Sequence, residues 1–237
     1  MSNRERDIRP IVLAFLSGLR SAVESHWTTS TSRATISVGM GRLTSVEKYL
    51  ASVPGGIRAY PDYLHRGQLL ATWLRASPTS SLSDRLPPEA AVLLEKANRM
   101  PDWVPTVQAN VLYLAIREVQ FTDDAAFFAH ASACNRAWLE TPIIRVFFWV
   151  ATPRDILRAA GPRWSTVHRG GSINVRIRGD SSAELELGFP PYLFPEIVLL
   201  AMRTGFVAVL ENAGARNVAI DVRVTEPTRA IFVARWQ

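Results

Sequence analysis

After Arg169 the spacing of apolar residues changes from about 3.6 to 2, and this switch constrains the fold more than any other feature of the chain. Ile173, Val175 and Ile177 alternate with Asn174, Arg176 and Arg178, which predicts a strand with one wet face. Gly179-Asp180-Ser181-Ser182 turns the chain, and Glu184 and Glu186 then alternate with Leu185 and Leu187. A register that opposes Arg178 to Glu184 and Arg176 to Glu186 sets unlike charges across the hairpin. A long apolar helix follows over about 194–212 and ends at Gly214. Val218, Ile220, Val222 and Val224 alternate again, and 230–236 forms a last strand. The pattern is β-β-α-β-β: a four-stranded, mostly antiparallel sheet gripping one long helix.

Ahead of it the period is helical. Ile8, Val12, Phe15, Leu16, Leu19 and Val23 share a stripe over 7–24, and 34–40 is short and β-branched enough for a strand. Helices are expected over 45–52, ending at Pro54-Gly55-Gly56, and over 65–74, 87–99 and 106–120, with a polar loop at 77–86. Asp123 caps a further helix whose stripe carries Phe127, Ala131, Cys134 and Trp138. Residues 143–150 are apolar nearly all round and read as central core, and a short helix over 153–160 stops at Gly161-Pro162. The expected fold class is α+β. A single domain over 1–237 has a mainly helical part, 1–160, wrapping the β-β-α-β-β part, 161–237.

Hydrophobic residues at 48% are enough for a real core, and 7 Trp with 10 Phe argue against disorder. The single Cys134 leaves no disulfide framework and no cysteine zinc site, so a reducing cytoplasm is expected. Met1-Ser2-Asn3-Arg4-Glu5-Arg6-Asp7 lacks signal-peptide architecture, and the apolar run at 192–210 is broken by Pro195, Glu196 and Arg203, which argues against a membrane span. Net charge is +6, and residues 131–180, with eight Arg against three acids, supply most of it. A local excess of this kind points to an anionic partner. Lys48 and Lys96 are the only lysines, a bias that GC-rich codon usage explains.

Few residues carry a chemical signature. His130 and Cys134 are spaced i, i+4 like a helical metal pair, yet no second pair accompanies them, and Cys134 sits on a core stripe. Gly39-Met40-Gly41 resembles the start of a dinucleotide loop but has Thr44 where a third Gly belongs. Asp123-Asp124 suits helix capping better than acid–base work. No phosphate-loop lysine motif, nucleophile elbow or His-Glu-x-x-His is present, so no catalytic residue, metal ligand or cofactor is assigned. The best binding candidate is Arg163, His168 and Arg169 with Gly170-Gly171, where guanidinium forks and glycine backbone suit an anion. The competing reading is a helix-to-sheet junction anchored by Trp164.

From Trp103 onward the chain resembles an uncharacterised family largely restricted to myxobacteria. The likeness runs through Trp103-Val104-Pro105, Asn110, Phe127, Asn135-Arg136, Thr141-Pro142, Pro153, Leu157, Arg163-Trp164, His168-Arg169-Gly170, Gly205, Gly214-Ala215-Arg216-Asn217 and Arg235-Trp236. The resemblance implies a C-terminal unit like the vinyl-4-reductase ligand-binding domain, similar in outline to transport-particle subunits and haem–nitric-oxide sensors. The cysteine cluster of the former is missing from Val222–Pro227, and the Tyr-x-Ser-x-Arg signature of the latter is missing altogether; Tyr113–Arg117 approximates it without the Ser. Metal and haem are therefore not expected.

The expectation is a non-catalytic regulatory or sensory module. It binds a small apolar or amphipathic ligand, or a protein partner, between the long helix and the helices around it. Phe127, Phe128, Trp138, Phe147 and Phe148 would wall the pocket, and Arg163, His168 and Arg169 would meet an anionic end. The alternatives are a nucleic-acid or nucleotide regulator using the arginines of 136–178, and an enzyme of unrecognised type. Homodimerisation stays open.

Overall fold

The computed structural model describes residues 41, 43–140, 148 and 151–237. The expected elements at 7–24, 34–40 and most of 143–150 lie outside them, as do Phe147 and Gly39-Met40. Among the described residues are seven α-helices and two antiparallel sheets, an α+β fold. In chain order they are α1 (Thr44–Ser52), β1 (Leu64–Arg66), α2 (Gly67–Ala76), α3 (Pro88–Glu95), β2 (Trp103–Pro105), α4 (Thr106–Gln120), α5 (Asp124–Leu139), α6 (Pro153–Arg163), β3 (His168–Arg169), β4 (Ser172–Gly179), β5 (Ser182–Gly188), α7 (Glu196–Asn212), β6 (Ala219–Glu226) and β7 (Arg229–Arg235). No described helix is long and apolar enough to cross a membrane.

The larger sheet has the order β4-β5-β7-β6 and is antiparallel throughout. Its inner face buries Ile173, Ala183, Leu185, Leu187, Phe232 and Ala234, as the period of 2 requires. The register differs from the expected one by two residues. Glu184 lies directly across from Arg176, and Glu186 from Asn174. A bulge between Ile177 and Gly179 shifts the pairing by one residue at the turn. The expected ion pairs still form on the diagonal, Arg178 to Glu184 at 2.6 Å and Arg176 to Glu186 at 3.6 Å. Long side chains reach a diagonal neighbour, so charge pairing alone could not fix the register.

Helix α7 packs against α5 and the larger sheet, with Phe206 meeting Phe232 edge-on at 4.9 Å between ring centroids. Helix α4 is more central than its apolar stripe suggests: from Thr106 to Ile116 only Gln108 is not buried. Helix α6 runs to Arg163, past the stop expected at Gly161-Pro162. A proline in a last turn forfeits a single hydrogen bond, and the residue before it is Gly161, which has no Cβ to clash with the ring.

The smaller sheet, ordered β2-β1-β3, has no counterpart in the sequence reading. Residues 65–74 look helical throughout, but Leu64–Arg66 is extended and helix α2 starts only at Gly67. A Cβ on Gly67 would stand 1.8 Å from the carbonyl oxygen of Pro101, so only glycine allows this strand to turn into its helix beside the neighbouring chain. Strand β2 likewise runs straight into α4 at Thr106.

Candidate functional site

In the smaller sheet His65 pairs with Val104 on one side and His168 on the other, while Arg66 pairs with Trp103 and Leu64 with Arg169. Successive side chains on a strand point to opposite faces. His65, Val104 and His168 therefore face inward and are buried, while Arg66, Trp103 and Arg169 share the outer face.

Inside, the two imidazoles lie 4.9 Å apart. The Tyr113 hydroxyl, from α4, is 2.8 Å from Nε2 of His65. Trp164 stacks on His168 at 4.6 Å and 19°, and Phe194 meets the same ring edge-on at 5.8 Å. Nδ1 of His168 is buried without a hydrogen-bond partner among the described residues. Burial pushes the pKa of His65 down to about 4 and that of His168 well below its ordinary value, with His65 adding to the latter. Burial raises that of Tyr113, which stays protonated. At neutral pH the cluster is uncharged.

This cluster forms one wall of a cavity of about 170 Å³ between α2, α4, α5 and α7. Leu69, Trp138, Val198, Ala201, Met202 and Phe206 supply apolar surface; His65, Asn110, Tyr113, Asn135 and His168 supply polar atoms. Among the described residues no Asp, Glu, Lys or Arg lines it. The amide nitrogen of Asn110 is already committed to the Tyr49 hydroxyl and the Leu193 carbonyl.

Of the residues named from sequence, Trp138 and His168 line the cavity. Phe127 is fully buried among Trp73, Phe121 and Phe128. Phe128 lies under the Arg203 guanidinium at 5.6 Å, and Phe148 packs against Leu139, Ala208 and their neighbours. Arg163 is half-buried at the end of α6, away from the cavity lining. Arg169 stacks on Trp103 at 4.0 Å on the outer face. His168 and Arg169, adjacent in sequence, thus face opposite sides of one sheet.

His130 sits 3.1 Å from the Ser77 hydroxyl and 3.5 Å from the Cys134 sulfur, and burial raises the Cys134 thiol to about 12. Among the described residues no three His, Cys, Asp or Glu gather as a metal set. Asp123 caps α5 by accepting the Ala126 N–H at 2.8 Å, and Asp124 pairs with Arg117 at 2.6 Å. The arginine excess of 131–180 is largely matched in space: Arg136 pairs with Glu211, Arg154 with Asp180, Arg158 with Asp155, Arg176 with Glu186 and Arg178 with Glu184.

No family model matches the chain, and no curated protein does. Among solved structures, the Fe(II) unliganded H-NOX protein from K. algicida is similar at 8% identity and a TM-score of 0.48, over 73% of this chain and 96% of that one. A mutant H-NOX of T. tengcongensis is similar at 8% identity and 0.49, over 73% and 97%. A third H-NOX structure, solved to probe haem distortion, is similar at 7% identity and 0.49, over 73% and 95%. A likeness this distant says nothing about a ligand. The space enclosed by the described lining is smaller than a haem. An apolar cavity of about 150 Å³ holds benzene, and a tetrapyrrole is several times larger. Among the described residues the lining also offers no cation for carboxylate side arms.

Proposed function

We propose that the chain is a non-catalytic sensory module that takes up a small, uncharged, largely apolar molecule in the cavity between α7 and the His65–His168–Tyr113 cluster. One observation carries this reading: among the described residues the cavity is walled by apolar and aromatic side chains with none that is charged, and has two histidines that burial keeps neutral. Small-molecule sites are typically concave and mostly apolar, with a few polar groups that fix orientation. The sequence reading placed an anionic end of the ligand at Arg163, His168 and Arg169. In this proposal the ligand is neutral, because His168 alone of the three lines the cavity. Among the described residues no Ser, Thr, Cys, Lys, Asp or Glu lines it and no metal set gathers, which favours binding over chemistry.

The test is thermal unfolding with benzene-sized neutral compounds, and with benzoate beside them. Neutral compounds should raise the midpoint in a concentration-dependent way, and benzoate should not. Ala201→Phe, which fills the cavity from α7, should abolish the shift. Stabilisation by benzoate alone, or a neutral-ligand shift that survives Ala201→Phe in a folded variant, would overturn the reading.

A further inference from the structure

The outer face of the smaller sheet carries a second feature that the cavity does not use. Arg169 holds its guanidinium 4.0 Å from the centroid of the Trp103 ring, and Arg66 holds its own 5.2 Å from the same centroid. The two cations come from different strands, and the pairing of β1 with β2 and β3 brings them to one indole. The Arg66 side chain is only 16% exposed, so its charge is largely out of water. Its carboxylate neighbour, Asp102, is 3.9 Å away and 81% exposed. Arg169 has no carboxylate within 4.0 Å among the described residues.

Arg136, Arg154, Arg158, Arg176 and Arg178 each meet an acid of their own, whereas here two guanidiniums share one ring and the single exposed carboxylate, Asp102, pairs with Arg66 alone. Like charges gathered at one place repel, and a desolvated guanidinium needs hydrogen-bond acceptors for its five N–H groups. A tetrahedral dianion answers both needs: it brings two negative charges for two cations and enough oxygens for two forks. The ring beneath is covered by Arg169, so it offers no open platform on which a nucleic-acid base could stack.

We propose that Arg66 and Arg169, seated on Trp103, bind the phosphate group of a small soluble phosphomonoester on the outer face of this sheet. The site is separate from the cavity, and neither reading depends on the other.

The test follows the Nε–Hε resonances of arginine at constant ionic strength during addition of inorganic phosphate, glycerol 3-phosphate, or vesicles containing phosphatidic acid. The expected result is a saturable shift of Arg66 and Arg169 with both soluble phosphates. Arg169→Gln, at an exposed position that leaves the core untouched, should weaken binding about tenfold, the value of one charge-assisted fork. Arg66→Gln should do at least as much, provided it folds. An equal response to sodium chloride would overturn the proposal, as would unchanged affinity in Arg169→Gln. Binding to the vesicles without binding to either soluble phosphate would also overturn it.

Discussion

The two sheets handle charge in opposite ways. On the larger sheet four of the wet-face cations are matched, Arg178 to Glu184, Arg176 and Arg229 to Glu186, and Arg235 to Asp221, while Arg223 stands exposed on β6. On the smaller one, the inner face buries two neutral histidines and the outer face gathers two arginines on one tryptophan. A balanced ionic face is well solvated and needs no partner. The small sheet instead has a ring nitrogen with no partner among the described residues inside and two guanidiniums with a single carboxylate outside, which is where both proposals place a ligand. The positive charge of this chain is thus a poor guide to its partners when counted, and a better one when each cation is traced to its counter-ion.

The contrast can be broken in several places. The largest effect is expected in the core of the larger sheet. Phe232→Ala should cost about 3–5 kcal/mol in denaturant unfolding, since the ring is fully buried against Phe206. A cost below about 1 kcal/mol would mean that this sheet does not anchor the fold.

The next effect belongs to the inner face of the smaller sheet and depends on pH. A histidine whose folded pKa lies below its unfolded value binds its proton more readily when unfolded, so its contribution is present above pH 6.5 and is lost as the pH falls. For His65 the loss runs from about 6.5 down to about 4 and amounts to about 3 kcal/mol. His168 extends it in the same direction. Unfolding midpoints measured across that range should fall steeply, and His65→Gln should flatten the profile. A flat profile in the unmodified chain would show that the imidazoles are not buried as described.

A glycine pair sharpens the comparison further. Gly170 and Gly214 both have left-handed φ, of 85° and 91°. A Cβ on Gly170 would stand 2.8 Å from the Asp62 carbonyl oxygen and 2.9 Å from the Tyr63 ring, whereas one on Gly214 meets nothing within 4 Å. Gly214→Ala should cost about 1 kcal/mol of backbone strain, and Gly170→Ala clearly more. Equal costs would remove the close approach at the smaller sheet. The smallest effect is expected at the matched pairs: Arg178→Ala, exposed on the larger sheet, should change stability by at most about 0.5 kcal/mol.

How far the sequence reveals these features follows from their range. The strands of the larger sheet are seven or eight residues long, and each carries its own period-2 signal, so they are legible one by one. The Asp123 cap is legible too, because it acts three residues away. The smaller sheet is not. Its strands have two or three residues, too few to show a period, and β1 and β2 run straight into helices whose spacing masks them. His65 and His168 are more than a hundred residues apart, and only the pairing of β1 with β3 brings them together. The Arg163–Gly171 segment does adjoin the candidate site. The sequence cannot show that adjacent residues there, His168 and Arg169, serve opposite faces. The helical spacing of 65–74 hid the extended Leu64–Arg66 that decides this.

The cavity is the central claim, and a crystal of the full chain pressurised with xenon tests it most directly. Xenon occupies dry apolar cavities of this size. The account predicts a xenon atom between His168 and Ala201, close to Phe194 and Met202, without rearrangement of α7. An empty cavity under pressure, with xenon bound elsewhere or nowhere, would contradict it.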